Sequence, residues 1–185
     1  MKKEILLADG RTATVSFLAA KDDVGELRGF INAFVDEKAY ILADRKFTLK
    51  QEAAWKQDTL ASQRKGGKYV LVARIGGKIA GTTEGRREPF KARSNVTLGL
   101  AIAKPYRRIG LGEALLRLNI ETAKKMMKPK TIWLSILAPN KPARALYHKV
   151  GFREFAVFPK WLLHDGKYVD HVFMRLPPRK PTISI

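Results

Sequence analysis

The stretch Asn95-Val96-Thr97-Leu98-Gly99-Leu100-Ala101-Ile102 is followed by Arg107-Arg108-Ile109-Gly110-Leu111-Gly112, and an amphipathic segment then continues to Met127. The first eight residues are mostly apolar, with Val, Thr and Ile among them, and read as a strand. Beyond the glycines, Leu111, Leu115, Leu118 and Met126 recur at helical spacing and predict a helix over 111–127. The first N–H groups of a helix lack internal partners and carry partial positive charge. Glycines let that backbone approach an anion closely, and arginines add charge-assisted hydrogen bonds. Together these features predict a cradle for a pyrophosphate group.

Two other phosphate motifs do not fit. The dinucleotide fingerprint needs a small residue three positions after its second glycine, where Leu115 stands. A nucleotide-triphosphate loop needs Lys and then Ser or Thr after its glycines, and neither follows here. The shorter cradle that remains points to coenzyme A.

Working outward, Thr12 to Ala19 reads as a first strand. A helix capped at Asp22-Asp23 follows, with Leu27, Phe30, Ile31 and Phe34 on one side. Thr48 with Gln51 three residues later predicts the start of a second helix running through Trp55 toward Leu60. Strands over 69–75 and 78–83 join at Gly76-Gly77 as a hairpin. After the 111–127 helix come a buried strand over 131–137 and a short helix from Pro142 through Tyr147 that Gly151 ends. Phe155 to Leu163 and Tyr168 to Leu176 close the chain as a hairpin. The order predicts an α/β (mixed α+β) fold: a mixed, mainly antiparallel sheet of six to seven strands flanked by helices. Residues 1–176 read as a single domain and 177–185 as a flexible tail.

The 185 residues contain no cysteine, so a Cys nucleophile, thiolate metal ligands and disulfides are excluded, and a reducing cytoplasm is the expected setting. No metal site is expected. No apolar run approaches the roughly 20 residues of a membrane span, and the apolar residues after Lys3 are too few for a signal peptide. The formal net charge is +19, and residues 86–130 hold 12 Lys and Arg against 3 Asp and Glu. Such an excess attracts anions and favours association with nucleic acid or a ribosome.

Arg107, Gly110 and Gly112 fill the pattern Arg/Gln-x-x-Gly-x-Gly/Ala, and Asn140, Ala145, Leu146, Tyr147, Gly151 and Phe152 fill a second one downstream. In these blocks, and in element order along nearly the whole chain, the sequence resembles the GNAT family of acetyl-coenzyme A-dependent N-acetyltransferases. The resemblance implies that Ile109, Gly110, Leu111 and Gly112, with Arg107 and Arg108 beside them, hold the cofactor pyrophosphate. It implies a V-shaped gap between the fourth and fifth strands, where the pantetheine arm lies. Backbone groups of Leu100 and Ile102 and the side chain of Asn140 would contact that arm, and Tyr147 would be the general acid toward the sulfur. A phenol of ordinary pKa, about 10, is a suitable donor to a departing thiolate.

Many relatives carry a glutamate on the strand before the cradle, at the place of Thr97. Glu84 on the preceding strand is the replacement candidate for the base, directly or through water; His148 and His171 are weaker ones. Asp170 is expected at the acceptor pocket. The first two helices and Gly166-Lys167-Tyr168-Val169-Asp170 look similar to transferases acting on ribosomal-protein N-termini, polyamines or antibiotics. The expected activity is transfer of an acetyl group from acetyl-CoA to a primary amine by direct attack. The alternative is a non-catalytic acyl-CoA-binding or ribosome-associated module on the same fold. The chain is expected as a monomer or, through an unpaired edge of the closing hairpin, a homodimer.

Overall fold

The computed structural model describes residues 2–177; of the expected tail, all but Pro177 lies outside the described residues. The strands are β1 Lys2–Leu6, β2 Thr12–Phe17, β3 Lys68–Ile75, β4 Lys78–Arg87, β5 Asn95–Ile102, β6 Thr131–Leu137, β7 Arg153–His164 and β8 Lys167–Arg175. The helices are α1 Val24–Asp36, α2 Leu49–Arg64, α3 Leu111–Met127 and α4 Lys141–Val150. One sheet holds all eight strands in the order β1-β2-β3-β4-β5-β6-β8-β7. The expected six to seven strands therefore become eight. β1 escapes a pattern reading because it is an edge strand in which only Ile5 is partly covered.

Punctuation in the sequence sets most boundaries. Asp23 caps α1 by accepting from the Glu26 N–H, and Thr48 with Gln51 forms a reciprocal capping box on α2. Gly151 ends α4 in the left-handed region at φ 110°. Two details differ from expectation. β4 runs on to Arg87, so Glu84 lies within the strand rather than near its end. On α3 the buried stripe drifts to Leu116, Ile120, Ala123 and Met127, leaving Met126 exposed.

The sheet divides two cores. Tyr69, Leu71, Leu98, Leu134 and Met174 pack with Leu111 and Leu115 of α3 and Phe152 beyond α4. On the opposite face Leu18, Val70, Val72 and Ile79 pack with Leu27 and Phe30 of α1 and Trp55 of α2. Inside the first core, Asn119 of α3 is fully buried and satisfied. Its amide donates to Thr83 Oγ1 (2.6 Å) and the Glu84 carbonyl (2.8 Å), and its Oδ1 accepts from the Tyr69 hydroxyl (2.6 Å). This network fixes α3 beneath the part of β4 that carries Glu84. Asn119→Ala leaves that phenol with only the Asn119 carbonyl and opens a small void. The expected cost is about 2–4 kcal/mol, read as a fall of roughly 5–15 °C in Tm for a domain of this size.

β5 and β6 form the parallel pair, while the other neighbouring strands pair antiparallel. Their register covers Asn95↔Thr131, Val96↔Ile132 and Thr97↔Trp133 and stops there. β5 stays on β4 as far as Ile102, and β6 stays on β8 as far as Leu137. Beyond Thr97 and Trp133 the two strands therefore part, which is the V-shaped gap. Its arms are the fourth and fifth of the strands read from sequence, β5 and β6 once β1 is included.

Candidate active site

The turn at the wide end of the V has the backbone that its glycines imply. Arg107 is extended, Arg108 and Gly110 are left-handed at φ 67° and 85°, and α3 begins at Leu111. α1, α2 and α4 each have a side chain closing the N-terminus, Asn140 serving α4 through the Ala143 N–H at 3.3 Å. No side chain caps α3. Its first N–H groups therefore present uncompensated partial charge beside exposed Arg108. A Cβ placed on Gly110 would meet nothing within 4 Å, so the space in front is open. A Cβ on Gly112 would lie 3.4 Å from Leu146 and 3.6 Å from Ile102, ordinary contacts that suit Gly or Ala. These residues fit the pyrophosphate of coenzyme A.

Arg107 has partners within the protein. Its Nε donates to the Ile102 carbonyl (2.9 Å), another nitrogen pairs with Glu37, and its guanidinium lies 5.7 Å from the Phe34 ring centroid. It fastens the cradle to the end of α1. Arg108 is then the arginine left to face an anion. The Ala103 N–H donates to the Ala80 carbonyl (3.0 Å), and this fixes the alternation along β5. Gly99 and Ala101 bond toward β4, so the backbone groups of Leu100 and Ile102 point across the gap toward β6. The Ile102 carbonyl is taken by Arg107; the Leu100 groups and the Ile102 N–H open on the V.

Tyr147 lies on α4 and is 6% exposed, its ring 6.0 Å from that of Phe152. Burial pushes its phenol up to about 12. Asn140 spends its Oδ1 on the α4 cap and keeps its amide nitrogen for another partner. His148, exposed, pairs with Glu154 at 3.0 Å, which also binds Arg144. It belongs to a surface ion network rather than to the V.

On the face opposite α3, β4 presents Glu84 to the open strand. A methyl built on Gly99 would stand 3.0 Å from Glu84 Cγ and 3.6 Å from Oε1, so the carboxylate lies over bare β5 backbone at the gap. Lys68 Nζ is 3.1 Å from its other oxygen. Glu88 was not singled out in the sequence, yet its carboxylate accepts from the Thr97 hydroxyl at the apex of the V. Nothing local in the sequence signals that contact; it follows from the Arg86↔Thr97 register. Asp170 accepts from the Lys160 N–H (2.9 Å) and so braces the irregular turn of β7 between Phe158 and Leu162.

The segment between α1 and α2 completes the surround. Lys38 pairs with Asp165 at 2.5 Å, and Tyr40 lies 4.7 Å from His164, both partners being at the tip of the β7–β8 hairpin. With Glu37 held by Arg107, this segment forms a strap joining the cradle to the hairpin. Among the described residues no three His, Cys, Asp or Glu side chains gather as a metal site, and no helix is long and apolar enough to cross a membrane.

The comparisons with known proteins agree with this geometry. The acetyltransferase (GNAT) family model matches residues 38–152. An N-alpha-acetyltransferase of Sulfurisphaera tokodaii is 30% identical over 116 residues, covering 58% of this chain and 68% of the relative. The L-amino acid N-acetyltransferase AaaT of Escherichia coli is 32% identical over 107 residues, covering 56% of this chain and 65% of the relative. The crystal structure of ribosomal-protein-alanine N-acetyltransferase from Brucella melitensis is similar at a TM-score of 0.77 and 25% identity, covering 87% of this chain and 97% of that one. The yncA structure from Salmonella typhimurium, solved with its cofactor acetyl-CoA, is similar at a TM-score of 0.77 and 26% identity, covering 89% and 92%. With an uncapped helix behind a glycine turn, a V between its parallel strands and this match over most of its length, the chain belongs to the acetyltransferase (GNAT) family and is an acetyl-CoA-dependent N-acetyltransferase.

Proposed function

We propose that the acceptor is the α-amine of a polypeptide N-terminus, with Glu84 receiving the amine proton and Tyr147 serving the departing sulfur. The observation that carries this reading is the placement of the Glu84 carboxylate over Gly99, on the face of the V opposite the helix that holds Tyr147. Acetyl-CoA supplies a thioester whose carbonyl carbon accepts the amine. Across the gap, the Leu100 N–H is directed to where it would polarise that carbonyl. The cradle residues Arg108 to Gly112 and the Asn140 amide hold the rest of the donor. Residues 1–176 act in this reading as one catalytic domain.

Acid–base chemistry favours an α-amine. At pH 7.5 an N-terminal amine of pKa 7.7–8.0 is about 30% free base, while a lysine amine of pKa 10.4 is about 0.1%. One carboxylate suffices for the first and leaves the second more than a hundredfold poorer in nucleophile. The resemblance to an N-alpha-acetyltransferase supports the same choice. The test is mass spectrometry of peptides that offer either a free N-terminus or a lysine behind a blocked one. Acetylation at the N-terminus is expected, and equal rates at lysine would refute the reading. Glu84→Gln is expected to lower kcat/KM by about a hundredfold near neutral pH. That deficit should shrink as the pH passes the amine pKa, where the attacking amine is already neutral and only the proton released on amide formation is left to be taken.

The charge of +19 fits an acceptor presented on an RNA-rich particle such as a ribosome, and thus a cytoplasmic setting. Another relative, the [ribosomal protein bS18]-alanine N-acetyltransferase of Escherichia coli, is 35% identical over 78 residues. Sedimentation with ribosomes that weakens steeply with added salt would support that partner.

A further inference from the structure

The V borders a row of aromatic rings that the chemistry above does not use. Thr97 and Trp133 are register partners at the apex, so Trp133 lies on the same face as Glu84 and Gly99. Trp133 stacks on Phe173 of β8 at 5.7 Å and 25°. Phe155 and Phe158 of β7 meet the edge of Phe173 at 6.3 Å and 5.3 Å, and Trp161 continues the row 5.4 Å from Phe158. Three of these rings are strongly exposed: Phe155 at 49%, Phe158 at 44% and Trp161 at 64%. α1 and α2 pack over β3 and β4 and leave the rings open. Asp170 braces the turn of β7 that carries Phe158 and Trp161.

Within the row lies a second unusual feature. His171 is only 8% exposed, its ring is 4.4 Å from that of Phe173, and neither ring nitrogen has a hydrogen-bond partner. Burial lowers its pKa, so the ring is neutral at pH 7 and keeps one donor and one acceptor.

We propose that this shelf receives the leading side chains of the acceptor and selects polypeptide N-termini whose first residues are large and apolar. The inference rests on the N-terminal reading above. It commits to a peptide rather than a free amino acid because of length. From β6 across β8 to β7 is two strand spacings, about 10 Å, and an extended chain needs about three residues to cover that distance. The shelf also begins where the reacting end must stop, since Trp133 flanks the apex and Glu84 lies across the gap.

The test uses two peptides with one common tail, beginning Met-Leu-Phe or Ser-Gly-Asp, and reads both acetylation rate and calorimetric binding to the protein without acetyl-CoA. The apolar peptide is expected to show kcat/KM about tenfold or more above the polar one, with tighter binding to match. Phe158→Ala and Trp161→Ala replace exposed rings and should leave Tm within a degree or two. Each should erase most of the preference, lowering the rate on the apolar peptide far more than the rate on the polar one. Equal rates on both peptides, or a preference that survives both substitutions, would overturn the shelf. A free apolar amino acid acetylated as well as the peptide, with the same sensitivity to Trp161→Ala, would overturn the commitment to a peptide. Light scattering that showed a dimer in the parent and a monomer in Trp161→Ala would assign the rings to a second copy instead. If neither peptide nor amino acid reacts while lysine side chains do, the N-terminal reading fails, and the shelf fails with it.

Discussion

A Tyr147→Phe enzyme is expected to bind acetyl-CoA as tightly as the parent and to turn over about 10²–10⁴-fold more slowly. The ring packs against Phe152 in the core, and phenylalanine preserves that packing, so folding and donor binding remain. What disappears is one hydroxyl on the side of the V opposite Glu84. The phenol stands near 12 because burial disfavours its anion. A thiol of ordinary pKa, about 8.5, is some 3.5 units more acidic, which would set full proton transfer uphill by about 5 kcal/mol. In that reading the sulfur would depart into the same apolar surroundings, which raise a thiol as they raise the phenol. In the proposed mechanism Tyr147 would therefore act first as a hydrogen-bond donor, with proton transfer following as the negative charge builds on the sulfur. The pH profile gives an independent check. The active form is the neutral phenol, lost only as pH rises through about 12. The parent enzyme should gain kcat/KM as its amine deprotonates and show no alkaline fall below about pH 11. Turnover unchanged in the Phe variant would remove Tyr147 from the chemistry.

Gly110→Asp should abolish donor binding with little loss of fold. Gly110 stands before the uncapped end of α3, at a φ of 85°, and its missing side chain leaves open space in front. An aspartate there fills that space with negative charge. Two unit charges 4–5 Å apart at an effective dielectric of 20 repel by roughly 3–4 kcal/mol, a rise in Kd of a hundredfold or more. The left-handed backbone adds strain of about 1 kcal/mol for any L side chain. Gly110→Asn carries the same shape and the same strain without the charge, so comparing the two isolates the electrostatic part. Calorimetry with coenzyme A should show weakened binding for Asn and a further loss of about a hundredfold or more for Asp. Similar losses in both would mean that backbone shape, rather than charge, is what the cradle requires.

The parts of this molecule that were legible in its sequence are those fixed by neighbouring residues. Thr48 with Gln51, Gly76-Gly77 and the glycines around Leu111 are local chemistry, and the capping box, hairpin and helix start follow from them. Edge strand β1 lacks such a pattern because almost none of it is buried. Contacts set by register were equally hidden. That Glu84 would lie over Gly99, and Glu88 reach Thr97, depends on how β4 and β5 align after a loop. The pairing of Arg107 was hidden for the same reason, since its partner Glu37 is 70 residues away.

In the proposed reading, the strap between α1 and α2 would set a condition on what can be modified. It joins cradle to hairpin through Lys38–Asp165, whose side chains are 68% and 57% exposed, and through one ring contact. An exposed ion pair of this kind holds weakly, and salt weakens it further. If the acceptor is a chain end, as proposed, so weak a bridge would lift for it, while the bulk of a folded acceptor would stay outside. Acetylation would then be timed by the acceptor: an end that soon packs into its own structure is available only briefly, while one that stays loose remains available throughout the protein's life.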